Sequence, residues 1–556
     1  MKGRGLYTYI VLLLLSAEWA VAQSSFLPPF AFTHYLSGNF AELRSNHFHA
    51  GLDFKTQGAV GKPIYAVADG YIARAKVQYG GYGRALYVMH DNGYMTVYGH
   101  LDRFPLEVDA EVRAKQYGDE CYVVDVAFEP NKFRVKGGDV LAYAGNSGYS
   151  FGPHLHFEVR SADGEQLYNP MLFYKSLLAD TRPPVAQAVA LYPREGFGVL
   201  NGAAESRVYK VANGTVADTL NVWGKVGFGI KAVDYMDGTH NKYGVYEIQL
   251  FVDDSLRFES RMDSVSFAEN RLINAWADYE RLSAGKGWFL RSFLVGNNPL
   301  RALKADAARG WVNIAEERPY KVEYRLRDYH GNTSNCVFVV NGVCDTIPAS
   351  VPQGCHKLFW FINNQIEYDD IALSIKRGAL FENVRLQVDV DSSSLAPVYS
   401  FGGVRCPLWH NAELSLKIPA HLAGYADKCY VKQLVGKEGS SAGGDVANGW
   451  VTASVSVLDR YTVAVDTLAP VLKPVNEKVW SKNAKVVFSL SDKGCGIASY
   501  KCYIDGRFVL FEYSSKNKTL LCDLKREKVS RGTHSLKIVA TDKVGNETIL
   551  EKTIKY

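Results

Sequence analysis

The sequence lacks several features that would assign it to a protein class at once. Its 63 Lys and Arg nearly balance its 58 Asp and Glu, giving a net charge of +5, which is too even for a dedicated nucleic-acid binder. After the N-terminal segment, no apolar run reaches the roughly 20 residues of a membrane-spanning helix. The nine cysteines include no Cys-x-x-Cys pair, so a zinc site built from thiolates has little support.

The residues that are plentiful indicate a folded, β-rich protein. Of the 556 residues, 47% are hydrophobic and 22% charged, a composition typical of globular domains rather than of disorder. This length predicts roughly three to five domains. The 34 Tyr, 27 Phe and 49 Gly accompany many short alternating segments, and together they predict a mainly β fold.

The N-terminus has the pattern of a secretory signal peptide over residues 1–22. Lys2 and Arg4 precede an apolar run from Tyr9 to Leu15, and Ala20-Val21-Ala22 forms a small-residue cleavage site. No cysteine follows that run before residue 121, which argues against a lipid anchor. We expect an exported chain without a transmembrane segment.

Cysteine is distributed unevenly, with eight of the nine residues in the C-terminal half. Export permits disulfides, but eight cysteines allow about 105 connectivities and the sequence selects none of them. Disulfides and free buried thiols therefore both remain open.

A recurrent Asp-Thr-x-(x)-Pro signature divides the rest of the chain. It occurs at Asp180, Asp345 and Asp466, and proline favours the extended backbone of a junction between domains. We predict four domains, over residues 23–179, 180–344, 345–465 and 466–556.

Two of these segments share internal features. Val233-Asp234 and Ser491-Asp492 occupy corresponding places, and both segments end in an Asp/Gly/Asn turn, at 328–332 and at 542–546. They resemble the immunoglobulin-like β-sandwich modules that are appended to many bacterial surface proteins. We expect the first to carry a helical insertion near 270–308, and 345–465 to be a further β-sandwich domain.

The last segment is the most basic. Residues 471–556 contain 17 Lys and Arg against nine Asp and Glu. Such a domain could bind anionic wall polymers or phosphorylated lipid headgroups. A solvated basic face is the alternative that we favour.

A His-x-His pair stands in a predicted strand. His154 and His156 alternate with Leu155 and Phe157, and residues two apart in a strand share a face. Metal binding and proton transfer are the functions that two adjacent imidazoles serve best. A solvated strand with no function is the other interpretation of this pair alone.

An earlier motif supplies further ligands. His49 and Asp53 lie in His-x-Gly-x-Asp, and with a strand histidine they would give zinc three N/O ligands and one open position. Gly51 would let the backbone turn so that both side chains reach one point. An exposed histidine in a turn is the alternative.

These motifs together resemble the lysostaphin/LytM-type zinc endopeptidases of bacterial cell walls, which form metallopeptidase family 23. The resemblance covers about a quarter of the chain, from Asn46 to Pro170. The segments that carry it are His49–Asp53, Gly61–Gly70, His90–Gly93, Tyr98–Leu101, Gly137–Val140, Gly145–Gly148, Gly152–Glu158 and Asn169-Pro170.

The resemblance implies a LytM-type β-sheet catalytic domain with one Zn²⁺. His49, Asp53 and His156 would bind the metal, and His154 and His100 would be the catalytic histidines. It also implies that Tyr98 could donate weakly to an oxyanion, although a place in the core is an equal alternative for this side chain.

The sequence departs from the family pattern at a few positions. By alternation, His47 shares a side with His49 and could lie in the second shell or compete as a ligand, and Glu158 could orient a ligating histidine. The stretch 102–136 is longer than usual, with a helix expected over Pro105–Glu120 and a strand over Tyr122–Val126. It could cap the groove, select substrate, autoinhibit or be inert.

The expected function is that of an exported zinc endopeptidase that hydrolyses the peptide cross-links of peptidoglycan. Stem peptides would be its substrate, the periplasm or outer surface of a Gram-negative-type bacterium its location, and wall or envelope proteins partners of its C-terminal modules. The alternatives are a non-catalytic wall-binding scaffold or activator of other hydrolases, and an adhesin. No nucleic-acid partner is expected.

Overall fold

The computed structural model of the chain describes residues 26–174, 176–296, 298–349, 356–402, 405–436 and 438–556. The predicted signal peptide, 1–22, lies outside these residues. The described chain is mainly β, as predicted. Within it, no helix combines the length and apolar character needed to cross a membrane.

The first unit comes before the first Asp-Thr-x-(x)-Pro junction. Its elements are β1 (Leu36–Gly38), β2 (Leu43–Arg44), β3 (His47–Phe48), β4 (Leu52–Lys55), β5 (Pro63–Tyr65), β6 (Gly70–Val77), β7 (Arg84–His90), β8 (Tyr94–Gly99), β9 (Leu101–Arg103), α1 (Leu106–Gly118), β10 (Val124–Ala127), β11 (Arg134–Val135), β12 (Val140–Ala144), β13 (His154–Ser161), β14 (Gln166–Tyr168) and α2 (Met171–Tyr174).

One large antiparallel sheet is the frame of this unit. Its strand order is β1-β4-β13-β8-β7-β6-β10, and a smaller sheet, β5-β12-β9, lies beside it. Side chains alternate across β13, so that Leu155, Phe157 and Val159 are fully buried. The other face of the same strand is left for polar side chains.

The second unit lies between the first two junctions. Its elements are β15 (Val185–Leu200), β16 (Arg207–Lys210), β17 (Asn221–Val233), β18 (Glu247–Val252), β19 (Ser255–Arg261), β20 (Ser264–Ser266), a 3₁₀ helix (Phe267–Leu272), α3 (Ile273–Trp276), α4 (Tyr279–Ser283), β21 (Leu290–Arg291), β22 (Leu303–Ala305), β23 (Val312–Ile314), β24 (Pro319–Arg327) and β25 (Thr333–Gly342).

Pairing in the second unit follows the order β16-β15-β17-β25-β24-β18-β19-β22. The insertion predicted near 270–308 is helical only as far as Ser283. Beyond it the chain forms β21, which pairs with β17, and β22, which pairs with β19. Strand pairing has therefore overridden a composition that favoured helix in this stretch.

The third and fourth units consist of paired sheets. Their elements are β26 (His356–Leu358), β27 (Asn364–Tyr368), β28 (Ile371–Ile375), β29 (Val384–Leu386), β30 (Val388–Asp391), β31 (Val398–Phe401), β32 (Cys406–Lys417), a 3₁₀ helix (Ala420–Lys428), β33 (Cys429–Gln433), β34 (Ser440–Gly443), β35 (Asp445–Ala447), β36 (Trp450–Leu458), β37 (Arg460–Val465), β38 (Val471–Pro474), a 3₁₀ helix (Glu477–Val479), α5 (Trp480–Asn483), β39 (Lys485–Ser491), β40 (Ile497–Ile504), β41 (Arg507–Phe508), β42 (Glu512–Ser514), β43 (Thr519–Asp523), β44 (Thr533–Asp542) and β45 (Glu547–Lys555).

Each of these two units contains two main sheets. In the third unit they are β27-β28-β32-β36-β35 and β30-β31-β37-β33-β34, and in the fourth they are β38-β39-β43-β42 and β41-β40-β44-β45. The eight cysteines in the described ranges, which exclude Cys355, are all free thiols.

Each unit contacts the next one along the chain, and the fourth unit also contacts the first. The first and second share the β14–β20 strand pair, the second and third meet where Trp409 donates to the Ala268 carbonyl, and Lys428 donates from the third unit to Val544 of the fourth. The fourth unit returns to the first through the Arg113–Glu527 ion pair.

Candidate active site

Strand pairing brings the first two site residues together. On β13, His156 lies opposite Asp53 of β4 on one side and opposite Gly99 of β8 on the other. His154 precedes it by two residues and therefore shares its face. The predicted His-x-His pair is thus directed away from the core.

Two backbone features add the remaining imidazoles. His49 lies in the loop between β3 and β4, where a Cβ on Gly51 would come within 2.0 Å of the Phe157 carbonyl oxygen. Only glycine allows that close approach. His100 lies between β8 and β9 with φ of 59°, a left-handed conformation that turns the chain beside His156.

Three donor atoms converge at one point. His49 Nε2 lies 3.0 Å from Asp53 Oδ1 and 3.0 Å from His156 Nδ1, and His156 Nδ1 lies 2.9 Å from Asp53 Oδ1. All three residues are at most 5% exposed. These residues form one of the groups in the described chain that could hold a metal ion.

The outer hydrogen bonds assign the tautomer of each ring. His49 Nδ1 donates to the Asn39 carbonyl at 2.6 Å, and His156 Nε2 donates to Glu158 Oε1 at 2.7 Å. When both rings are neutral, the inner nitrogens carry lone pairs that face each other and the carboxylate. Three lone pairs at such distances repel unless a cation lies between them, so the donor set fits a divalent metal ion.

The charge of the cluster is shaped by its neighbours. Burial raises the pKa of Asp53, but the surrounding imidazoles outweigh burial and hold this pKa well below its usual range. Arg44 binds Asp53 Oδ2 at 2.8 Å, which leaves Oδ1 to face the histidines. Asp53 therefore stays ionised, as a metal ligand must.

Two further imidazoles flank the three converging donors, and His154 Nε2 lies 3.5 Å from Asp53 Oδ1. His100 Nδ1 donates to the Ser147 carbonyl and His154 Nδ1 to the Gly152 carbonyl, each at 2.9 Å. Their ring centroids lie 4.6 Å apart. Burial, together with His156 and His154, lowers the pKa of His100 to about 3, so this ring is neutral at pH 7 with a free Nε2 lone pair.

Glu158 orients His156 from behind. Its side chain is fully buried, and besides His156 it accepts hydrogen bonds from Arg160 Nε at 2.6 Å and from the Tyr82 hydroxyl at 2.5 Å. Burial raises the pKa of Glu158, but Arg160 and His156 lower it to about 2. The carboxylate therefore remains charged and fixes the ring.

Two of the predicted site residues lie outside the donor cluster, although His47 lines the groove beside it. Tyr98 is fully buried and packs on Phe157, 5.3 Å between ring centroids. It occupies the core, which was the equal alternative to an oxyanion role, because its side chain is on the core face of β8. His47 is exposed, and its Nδ1 faces the Ser45 carbonyl at 2.9 Å. The alternation argument fails for His47 because β3 ends at Phe48, before His49.

A groove of about 630 Å³ runs across the cluster. Besides the site histidines, its walls include Tyr82, whose ring stacks on His156, and the exposed aromatics Tyr149 and Phe151. Trp288 reaches this groove from the second unit. Sequence reasoning missed these four aromatic residues and Arg44, since none belongs to a spaced motif.

Fold and site together define a metallopeptidase domain. Residues 47–117 match the model of peptidase family M23, and the chain therefore contains an M23 peptidase domain. Residues 356–466 match a Zu5-like domain, which lies within the third unit.

Curated relatives cover the same part of the chain. The DD-carboxypeptidase/endopeptidase Mpg of Neisseria meningitidis serogroup B is 34% identical over 118 residues, which are 21% of this chain and 21% of Mpg. The glycyl-glycine endopeptidase ALE-1 of Staphylococcus capitis is 33% identical, over 23% of this chain and 29% of ALE-1. The chain spans about a fifth to a third of the length of these relatives.

Solved structures that resemble the chain include the catalytic domain of lysostaphin from Staphylococcus simulans, at 25% identity and a TM-score of 0.18, covering 25% of this chain and 90% of that one. A zinc-containing peptidase from Vibrio cholerae is also 25% identical, with a TM-score of 0.20, and the match covers 27% of this chain and 40% of that one.

Proposed function

We propose that the chain is an exported zinc-dependent endopeptidase that hydrolyses the peptide cross-links of peptidoglycan. The observation that carries this proposal is the convergence of His49 Nε2, Asp53 Oδ1 and His156 Nδ1 within 3.0 Å of one another. The outer nitrogens of the two histidines are used in hydrogen bonds to Asn39 and Glu158. The inner nitrogens and Asp53 Oδ1 remain available to bind one cation.

Zinc is the metal that this donor set favours. Two imidazoles and one carboxylate are typical ligands of catalytic zinc, which keeps a further position open. When bound, zinc supplies Lewis acidity and lowers the pKa of a bound water molecule to about 7. Asp53 and Arg44 leave the site with a net positive charge once the metal is present.

The two flanking histidines would move protons. Both rings donate at Nδ1 to a backbone carbonyl, which leaves Nε2 of His100 and His154 as a proton acceptor. One ring would take a proton from the attacking water at its Nε2. The other ring, once protonated at Nε2, would stabilise the oxyanion or protonate the leaving amine. The carbonyls of Ser147 and Gly152 orient these rings for both steps.

The groove would receive an extended peptide. Tyr149, Phe151 and Trp288 offer apolar walls beside the polar cluster. The names of the relatives include both a DD-endopeptidase and a glycyl-glycine endopeptidase. We propose D,D-cross-links of a meso-diaminopimelate wall as the target, in the periplasm or at the outer surface.

Digestion of purified peptidoglycan tests this proposal. We expect the zinc-loaded full chain to convert cross-linked muropeptides to monomers, as identified by mass. The His156→Ala and His154→Ala variants should each lose this activity by at least about 100-fold, because metal binding and proton transfer respectively depend on these rings. The exposed His421 offers a matched control, and His421→Ala should cleave at the parental rate.

The variants also separate the alternatives. His156→Ala should lose zinc, whereas His154→Ala should retain it, as measured by metal analysis after gel filtration. Full cleavage in excess chelator would contradict the zinc mechanism. A parental protein that binds zinc and sacculi but releases no fragment would instead indicate a wall-binding scaffold or an activator of other hydrolases.

A further inference from the structure

A second cluster of acidic side chains lies at the start of the second unit. Asp180 precedes β15, Asp234 follows β17 and Asp328 follows β24, and each offers a carboxylate oxygen within 4.8 Å of the other two. Their side chains are almost completely buried, at 1%, 5% and 1% exposure. Three carboxylates so close in a buried site repel one another strongly unless a cation neutralises them.

The protein supplies little to neutralise this cluster. Asp328 accepts from the backbone of Gly331 and Asn332, and Asp180 Oδ1 accepts from the Arg182 amide. Asp234 Oδ1, however, has no hydrogen-bond partner among the described residues. A buried carboxylate oxygen without a donor is costly, so this atom points to a missing ligand.

The nearest basic side chains are directed elsewhere. The Arg182 guanidinium stacks on the Tyr235 ring, and its Nη1 faces the Thr239 carbonyl at 3.4 Å. His330 Nε2 donates to the Leu178 carbonyl, and its Nδ1 lies 3.9 Å from Asp180, beyond hydrogen-bond range.

A small cavity lies beside two of the three carboxylates, those of Asp180 and Asp234. Asp180, Asp234 and His330 line it together with side chains of the first unit, and its volume is about 20 Å³. That volume is enough for one ion or one water molecule. The cluster is therefore next to space that a single cation could enter.

The fourth unit has a corresponding group of aspartates, and there the carboxylates accept hydrogen bonds from the protein. Asn546 bonds Asp542 and the Asp466 carbonyl, just as Asn332 bonds Asp328 and the Asp180 carbonyl. In this unit, however, the backbone amide of Cys495 donates to Asp466, and those of Gly494 and Gly496 donate to Asp492. The turn after Asp492 thus supplies donors to the acidic pair.

The second unit uses the corresponding segment differently. Residues 235–244 are turned toward the first unit, where Tyr243 donates to the Leu36 carbonyl and Gly244 exchanges two hydrogen bonds with the Asn39 side chain. Among the described residues, none of the amides in this segment reaches Asp234 Oδ1. Asp234 Oδ1 thus lacks the kind of donor that the fourth unit takes from its own turn, and a bound cation would compensate for it.

We propose that Asp180, Asp234 and Asp328 bind a divalent cation of the calcium type. Carboxylate oxygens are hard ligands, and Ca²⁺ prefers six to eight oxygen ligands in flexible arrangements. The cation would also hold the 235–244 segment against Asn39, whose carbonyl orients His49. It would thereby link the second unit to the loop that carries a ligand of the peptidase site.

Calcium titration of the metal-free full chain tests this site. All proteins carry His156→Ala, so that the peptidase cluster lacks one donor. We expect calorimetry with CaCl₂ to give one site per chain and the melting temperature to rise by about 5 °C at saturating calcium. Asp234→Asn should lose both the binding and the rise, because the shape is kept and one charge is removed.

Asp492→Asn is the matched control in the fourth unit and should keep both responses. Asp180→Asn is a second variant of the site and should behave as Asp234→Asn does. The proposal is overturned if the parental chain shows no calcium response, or if either site variant keeps the parental rise.

Discussion

Glu158 is the residue on which the direction of the His156 ring depends. It is buried in the sheet and accepts from His156, Arg160 and Tyr82 at once. The hydrogen bond to Nε2 keeps the proton on the outer nitrogen of the imidazole and leaves Nδ1 to face Asp53. A carboxylate in this position raises the basicity of a ligating histidine.

Replacing Glu158 by Gln should therefore weaken metal binding without removing a ligand. We expect zinc affinity to fall about 10- to 100-fold, as measured by competition with a fluorescent chelator. Glu107 is exposed on α1, and Glu107→Gln is the matched control with unchanged affinity. An unaltered zinc affinity in Glu158→Gln would show that this carboxylate does not tune the site.

Short motifs, together with the family resemblance, predicted residues that converge in the cluster, but they did not predict the residues that shape the groove. His49, Asp53 and His156 lie in short motifs, and the structure brings their donor atoms together. Tyr82 and Trp288 belong to no motif, because they reach the groove through the β6–β7 turn and through a separate unit. For Tyr98 the sequence left two alternatives open, and the core position is the one observed, because Gly99 rather than Tyr98 lies beside His156.

At the scale of elements, helix α1 explains the long stretch at 102–136. The expected helix and strand are present as α1 and β10. Pro105 precedes the first turn, Glu107 and Asp109 lie within it, and Lys115 lies in the last turn, as the helix dipole favours. The side of α1 that faces away from the first unit contacts the fourth unit, where Arg113 binds Glu527 at 3.0 Å.

Breaking this contact should loosen the fourth unit. Glu527 is 3% exposed and also accepts from Tyr117, so Glu527→Gln leaves Arg113 without its charge partner. We expect a loss of about 3 kcal/mol in the free energy of unfolding, measured by urea denaturation. Faster proteolysis near 466–470 should accompany it.

Glu547 is exposed on β45, and Glu547→Gln is the matched control because it removes the same charge. This variant should keep the parental stability. The docking of α1 would be refuted by equal stability and equal proteolysis of Glu527→Gln and the parental chain. The partner of α1 could not be predicted from sequence, because helix signals are local whereas the partner lies in the fourth unit.

At the scale of the whole molecule, opposite charges face each other across the contact between the first and fourth units. Arg526 and Lys501 bind Asp109 and Glu120, and Arg84 binds Glu512 in the reverse sense. Part of the excess of basic residues in the fourth unit is thus used within the chain. These ion pairs within the chain give no support to wall polymers or lipid headgroups as ligands of the basic residues.

The contact between Arg84 and Glu512 predicts a dependence on pH. Burial raises the pKa of Glu512, but Arg84 outweighs burial and holds this pKa below its ordinary value of 4.5. A lowered folded-state pKa stabilises the fold above pH 4.5, and this contribution is lost as pH falls through the folded-state value.

We therefore expect the parental chain to lose more stability between pH 7 and pH 3.5 than Glu512→Gln does, as measured by urea unfolding at both values. The difference in stability between the two proteins should become smaller as pH falls, because protonated Glu512 resembles Gln. Parallel losses in the two proteins would show that this pair does not contribute to the pH dependence.

The ring of four units has a consequence for biosynthesis. Ser150, beside His154, has its carbonyl held by Lys516, and Ser515 holds the carbonyl of Tyr79 nearby. The ribosome makes these two supports long after the peptidase sheet. In a nascent chain, the loop that leads into β13 at His154 therefore lacks the contact of Ser150 with Lys516, and Tyr79 lacks its contact with Ser515. Both contacts form only once the fourth unit has emerged and folded.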